Sequence, residues 1–199
     1  DANFGDTGTV TINGQQKTFT KRSRSQLDDI IFIDEQDPEI SLTCTSGITD
    51  MSNIFSGSFS NPNPFNQSLN SWDVSNVTDM SYMFYYATSF NKPLNNWDVS
   101  NVIDMNHMFR SAVSFNQPLN NWDVSNVVDM SYIFNYATSF NKSLNNWDIS
   151  NVNNIAFMFW SANSFNQPLN NWDVSNLTDM SRMFYGARSF NQPLNNWDV

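Results

Sequence analysis

Val77–Asn101 reads VTDMSYMFYYATSFNKPLNNWDVSN, and the chain returns to this wording every 25 residues. Trp72, Trp97, Trp122, Trp147, Trp172 and Trp197 keep the step, and so do Phe65, Phe90, Phe115, Phe140, Phe165 and Phe190. The first unit opens at Ile48 and holds four extra residues around Ser58–Pro64; the last stops at Val199, just after its Trp-Asp. A fixed period without drift points to a solenoid in which each unit is one coil. A unit offers about nine apolar side chains, each worth roughly 1.5–3 kcal/mol when fully buried. Ordering its residues costs about 1.5 kcal/mol apiece, so one unit alone loses that balance and stacked units sharing faces can win it.

Each unit divides into two halves. Val77, Met80, Phe84 and Ala87 recur at i, i+3, i+7 and i+10, one face of a helix about three turns long. Asn76 stands where an N-cap belongs, with Asp79 three residues on. Leu94, Trp97, Val99 and Val102 follow an L-x-x-L-x-L spacing, and Trp97 and Val99 alternate with Asp98 as in a short strand. The expectation is therefore a short parallel strand plus a short helix per coil.

These units resemble the bacterial surface protein 26-residue repeat, a relative of the BspA-like leucine-rich-repeat surface proteins. The matching words are WDVSNVTDMSYMF at Trp72–Phe84 and SFNQPLNNWDVSN at Ser114–Asn126, and the resemblance runs from Ile48 to Val199. It implies an α/β, leucine-rich-repeat-like, right-handed solenoid on a secreted or surface-anchored protein, linked to adhesion and bringing no catalytic residues. That family has a helical segment before its first repeat, whereas this chain begins with what reads as a hairpin.

Residues 1–47 are not repeat and are expected to form an N-terminal cap of β-hairpin plus short helix. Thr9–Ile12 and Gln16–Phe19 alternate around Asn13-Gly14, a strong hairpin signal. Ser25 with Asp28 would cap the helix, and Ile40–Cys44 reads as a degenerate strand that starts the sheet. Lys17, Lys21, Arg22 and Arg24 gather four of the nine basic residues, either as a solvated loop or as a contact for an acidic partner.

Composition narrows the function. The chain has 199 residues with 19 acidic against 9 basic side chains, a formal charge of −10, which disfavours nucleic acid and anionic membranes as partners. One Cys and one His leave no disulfide framework, no Cys-based zinc site and few acid–base constellations. No apolar run approaches the length of a membrane span, and the opening DANFGD does not read as a signal peptide. No nucleophile–base pair, phosphate loop or dinucleotide fingerprint is visible, so no enzyme and no cofactor is expected.

Four sets of residues invite a functional reading. Asp73, Asp98, Asp123, Asp148, Asp173 and Asp198 form one row. Stacking would bring like charges about 4.7–4.9 Å apart, and either Ca²⁺ or hydrogen bonds from the following Ser-Asn turn must relieve them. A second row, Asp79, Asp104, Asp129 and Asp179, suits a helix N-terminus, with Asn154 in the remaining unit. Variation between units concentrates at three outward slots: Tyr82, His107, Tyr132, Phe157, Arg182; Tyr85, Arg110, Asn135, Trp160, Tyr185; and Tyr86, Ser111, Tyr136, Ser161, Gly186. Their aromatic and arginine content is that of a binding surface for a protein or glycan, partial burial between coils being the other reading. Asn66, Asn76, Asn141 and Asn176 begin Asn-x-Ser/Thr triplets, which are glycosylation acceptors only in a eukaryotic secretory route.

The function expected is non-catalytic adhesion at a cell or particle surface. The second expectation is a filament subunit: Leu194, Trp197 and Val199 would form an open end onto which another copy's N-terminal segment stacks head-to-tail.

Overall fold

A computed structural model describes residues 2–12 and 14–198, with Ile12 described by its backbone alone. Asn13, half of the expected hairpin turn, and Val199, part of the expected assembly end, lie outside the described residues.

The N-terminal segment builds a three-stranded sheet in the order β1 (Thr7–Ile12), β2 (Gln15–Lys21), β3 (Thr43–Cys44). β1 and β2 are antiparallel with Ile12 opposite Gln15, and Gly14 takes φ +76°, a conformation a side chain would resist. β3 pairs parallel to β2 through Thr20–Thr43 and Lys21–Cys44. Helix α1 (Arg24–Ile33) starts two residues earlier than Ser25 suggests: Ser23 is the N-cap, its hydroxyl accepting from Gln26 N while the Gln26 side chain accepts from Ser23 N. Ile40–Leu42, expected as strand, is a 3₁₀ turn whose Ile40 is fully buried. Leu27 and Ile40 join the core of the repeats.

From Ile48 onward the units lie against one another in sequence order. Isolated parallel bridges link Asp50 to Asp79, Asp79 to Asp104, Asp104 to Asp129, Asp129 to Asn154 and Asn154 to Asp179. The bonding falls on the half expected to be helical. Met80, Tyr82, Phe84 and Tyr86 donate their N–H groups to Asp104, Asn106, Met108 and Arg110 of the next unit, while Met83, Tyr85 and Ala87 donate back to Met80, Tyr82 and Phe84. Alternate residues thus bond outward and inward, which no α-helix permits. Tyr82 (φ 57°) and Tyr86 (φ 53°) are left-handed, as are His107 and Ser111, Tyr132 and Tyr136, Phe157 and Ser161 in later units. These two reversals put Met80, Met83, Phe84 and Ala87 on the inside, mimicking helical spacing without a helix.

The half expected to be a strand is two tight turns instead. Trp97 N donates to Leu94 O and Val102 N to Val99 O, and Asp98 Oδ1 accepts from Ser100 N at 3.1 Å. With those N–H groups used locally, side chains join the units here. Trp97 Nε1 donates to Leu69 O of the preceding unit at 3.1 Å, Asn101 Nδ2 to Ser75 O at 2.7 Å, and Asn91 N to Asn66 Oδ1 at 3.0 Å. The same contacts recur in later units. Asn101, Asn126, Asn151 and Asn176 therefore bridge units rather than cap helices.

Phenylalanine fills the centre. Phe84 stacks on Phe90 at 4.1 Å within its unit and on Phe109 at 5.4 Å in the next. Steps between near-parallel equivalent rings widen across the unit. They are 4.3–4.5 Å along Tyr82, His107, Tyr132 and Phe157. They are 5.9–6.1 Å along the Phe90 row and 6.3–6.5 Å along the Trp97 row. Each unit is a wedge, and the stack bends with the Tyr82 row on its inner side.

The first unit receives what a preceding unit would supply. Trp72 Nε1 donates to Ile40 O at 3.0 Å. Arg24 of α1 donates to Asp50 O at 3.0 Å and Ser52 O at 2.8 Å. The basic group read as a loop or docking patch is thus largely engaged: Arg22 pairs with Glu39 and bonds Thr43 Oγ1, and Lys21 bonds Ala2 O.

Candidate binding face

The left-handed residues decide what faces the inner side. At φ near +57° the side chain at each Tyr82 slot turns away from the core and lies on its neighbour one unit on. Tyr82 stacks on His107 (4.3 Å, 7° between planes), His107 on Tyr132 (4.4 Å, 14°) and Tyr132 on Phe157 (4.5 Å, 8°). Arg182 ends the row with its guanidinium 5.9 Å from the Phe157 ring centre. All but the exposed Arg182 are half-buried, packed on each other with an edge or face open.

The second slot lies beside the ladder. Arg110 sits between the Tyr85 and Tyr132 rings, 5.5 and 5.3 Å from their centres, and has no ion pair among the described residues. Its Nε is buried without a hydrogen-bond partner. Asn135 is buried, and its Oδ1 also lacks a partner. Trp160 packs on Phe157 at 5.1 Å and edge-on to Tyr185 at 5.0 Å; Tyr185 is 63% exposed. In the third slot, Tyr86 and Tyr136 flank the small Ser111. A groove of about 560 Å³ opens there, bounded by Phe59 and Pro62 of the four-residue insertion and by Arg110, Thr88 and Thr138. Phe59, Pro62, Thr88 and Thr138 were not singled out by the sequence reading; the insertion and the Tyr-Ser-Tyr alternation were the signals.

Burial sets the ionisation of the ladder. The His107 pKa falls to about 4, first because the ring is desolvated between two tyrosines and then because Arg110 repels a second positive charge; Asp129 partly offsets this. Its Nδ1 lies 2.9 Å from Asn106 Oδ1. Burial likewise raises the Tyr82 phenol.

The Asp73 row lies exposed on the opposite half. Asp98 Oδ1 accepts from Ser100 N at 3.1 Å and Ser100 Oγ at 2.6 Å, and Asp73 and Asp123 repeat the pattern with Ser75 and Ser125. Asp148 and Asp173 accept from the N–H of Ser150 and Ser175. The serine bonds hold Asp98, Asp148 and Asp173 below the usual carboxylate range. Among the described residues, no three His, Cys, Asp or Glu side chains gather to hold a metal ion. The second acidic row has no helix to serve: Asp79 Oδ1 accepts from Ser81 N at 2.8 Å, closing a local turn. Asp104 is raised by burial, with smaller contributions from its neighbours Asp129 and Asp79. Asn154 interrupts that row and its Nδ2 reaches Asp129 Oδ2 at 3.4 Å.

Leu194 and Trp197 are half-buried on the last unit, where they border a cavity of about 520 Å³ with Met180 and Phe184. Of the glycosylation triplets, Asn66 and Asn141 accept backbone bonds from Asn91 and Asn166, and Asn176 donates to Ser150 O. No helix among the described residues is long and apolar enough to cross a membrane.

One family model covers both the repeats and the helix that precedes them, matching residues 27–138 and 116–199. The chain belongs to the DUF285 family. That family is described as Mycoplasma protein of unknown function. The match begins inside α1, upstream of the first unit, and leaves the β1–β2 hairpin outside. Two further comparisons, with curated proteins and with solved structures, give no match.

Proposed function

We propose that this DUF285 chain is a non-catalytic adhesion module of the cell or particle surface. Its units form a stiff, leucine-rich-repeat-like solenoid related to the bacterial surface repeats. Its inner aromatic face holds a glycan or a protein. The observation that carries this reading is the Tyr82–His107–Tyr132–Phe157 ladder with Arg110, Trp160 and Tyr185 beside it. The core is already filled by the Phe, Met and Trp rows, so a second aromatic layer half open to solvent serves contact. Rings fixed by stacking lose little entropy on binding, and aromatic and arginine side chains dominate binding energy at interfaces. The parallel bridges between successive units support the solenoid reading.

The test is an array of purified glycans and surface proteins probed with the chain and with a Trp160→Ser/Tyr185→Ser variant. Binding by the parent that the variant loses, with an unchanged melting temperature, is expected. Binding that survives in the variant, or no binding by either, overturns the reading.

A filament is the second reading, in which the apolar surface of Met180, Phe184, Leu194 and Trp197 would take up another copy's N-terminal segment. Head-to-tail stacking would bring the N–H row of one copy to Asp50 O and Ser52 O of the next. Arg24 already holds both carbonyls, so assembly would have to displace α1. Light scattering across a concentration series separates the two.

A further inference from the structure

We infer that the groove over Ser111 is a subsite for one acidic sugar ring, a pyranose carrying a carboxylate. This rests on reading the inner face as a binding surface and names what one part of it takes. Tyr86 and Tyr136 occupy the same slot two units apart, with Ser111 between them where a third ring would otherwise stack. Two unit steps at the 4.3–4.5 Å of the neighbouring Tyr82 row put the two tyrosine positions about 9 Å apart. Carbon atoms pack at roughly 3.5–4.0 Å, so a flat ring would need only about 7–8 Å between walls; a puckered sugar ring, being thicker, fills the gap. Phe59 and Pro62 close one end. The volume of about 560 Å³ lies within the roughly 300–1,000 Å³ of small-molecule sites.

Charge complementarity selects the acid. Arg110 is the one charged side chain lining this groove, in a chain of net charge −10. Its guanidinium lies between the Tyr85 and Tyr132 rings, and it has no carboxylate partner among the described residues. A planar guanidinium so held suits a carboxylate in two-point contact. The hydroxyl-bearing residues Ser111, Thr88 and Thr138 line the same space and suit the hydroxyls of a sugar. The pattern does not recur further along: Ser161 follows Tyr136, but Gly186 stands where the next wall would be, so the face holds one such subsite.

Calorimetry of the full chain with methyl glucuronide and with methyl glucoside tests the inference. The glucuronide is expected to bind about tenfold more tightly or better, as a charge-assisted contact would give. Arg110→Gln should bring the two sugars level, and Ser111→Tyr should abolish binding of both. The second variant keeps its fold, because tyrosine already occupies this slot at φ 53° and 57° in the flanking units. Equal affinity for the two sugars, absence of binding by both, or binding that survives Ser111→Tyr overturns the subsite. An acetylated dipeptide with a free carboxylate that binds more tightly than the glucuronide overturns the sugar assignment. Failure here with array binding still lost in Trp160→Ser/Tyr185→Ser removes the subsite and leaves the adhesion reading standing.

Discussion

Arg24 Nη2 donates to Ser52 O at 2.8 Å, in the position that a backbone N–H of a preceding unit holds elsewhere in the stack. In the next unit the equivalent carbonyl, Ser81 O, accepts from Asn53 N, and Asp79 O accepts from Met51 N. Arg24 Nη1 serves Asp50 O in the same way, while Nε is fixed by Asp28 Oδ1 at 2.7 Å. One guanidinium thus replaces two backbone donors. Arg24→Gln should destabilise the chain by about 1–3 kcal/mol, the range for losing charged hydrogen bonds at a partly solvated site. Arg24→Lys should recover little of it, since an ammonium lacks the planar fork. Urea denaturation of the three proteins checks both statements.

Trp122 Nε1 donates to Leu94 O at 3.0 Å in the buried seam between units. Trp122→Phe preserves an aromatic ring but removes one of the two donors to that carbonyl, Trp97 N being the other, and opens space. A loss of about 1–3 kcal/mol is expected from the lost hydrogen bond and the cavity together. Trp197→Phe, in the half-buried last unit, should cost clearly less. Both variants lose an indole bond, to Leu94 O and to Leu169 O, so matched denaturation curves isolate the effect of burial; equal losses would mean that burial adds nothing to it.

The spacing of Phe, Met and Trp gave the repeat and its inward residues correctly: Val77, Met80, Phe84 and Ala87 are all fully buried. It misassigned the backbone because two left-handed residues four apart return side chains to one side much as a helix does. Tyr82 and Tyr86 do not advertise positive φ. The hints were Asn53 in the first unit's Tyr82 slot and Gly186 in the last unit's Tyr86 slot, residue types that tolerate that conformation. The outward slots were legible from their variation, but their mutual stacking depended on an inner-side step that only the wedge shape supplies. Arg24 was unreadable, since its partners are carbonyls far along the chain.

The Asp73 row is relieved by its own turns. Each aspartate from Asp73 to Asp173 spends Oδ1 on the serine two residues on, leaving one oxygen per unit facing water. Calcium needs six to eight oxygens, more than this arrangement converges. Chelation should leave the melting temperature unchanged, and added Ca²⁺ should not raise it. Ser100→Ala should instead raise the Asp98 pKa toward its ordinary value, measurable by carboxyl NMR titration.

His107 should make stability fall as acidity rises in one defined window. Its folded pKa of about 4 lies below the ordinary 6.5, so the unfolded chain binds this proton first. Between pH 6.5 and about 4, unfolding takes up a proton that the folded ladder refuses, and stability decreases as pH falls. Because the ring is half-exposed, solvent screening reduces the effect to about 1–2 kcal/mol across the window. Asp98 and Asp148, whose folded pKa values lie below 3.8, add a separate loss only at lower pH, as they become protonated. His107→Phe places in the ladder the residue that Phe157 already supplies two units on, with the same left-handed backbone. It should flatten the stability profile between pH 6.5 and 4 and leave the loss below that range in place. Urea midpoints at half-unit pH steps for both proteins decide it: parallel profiles would mean that the stacked imidazole accepts its proton as readily as a free one.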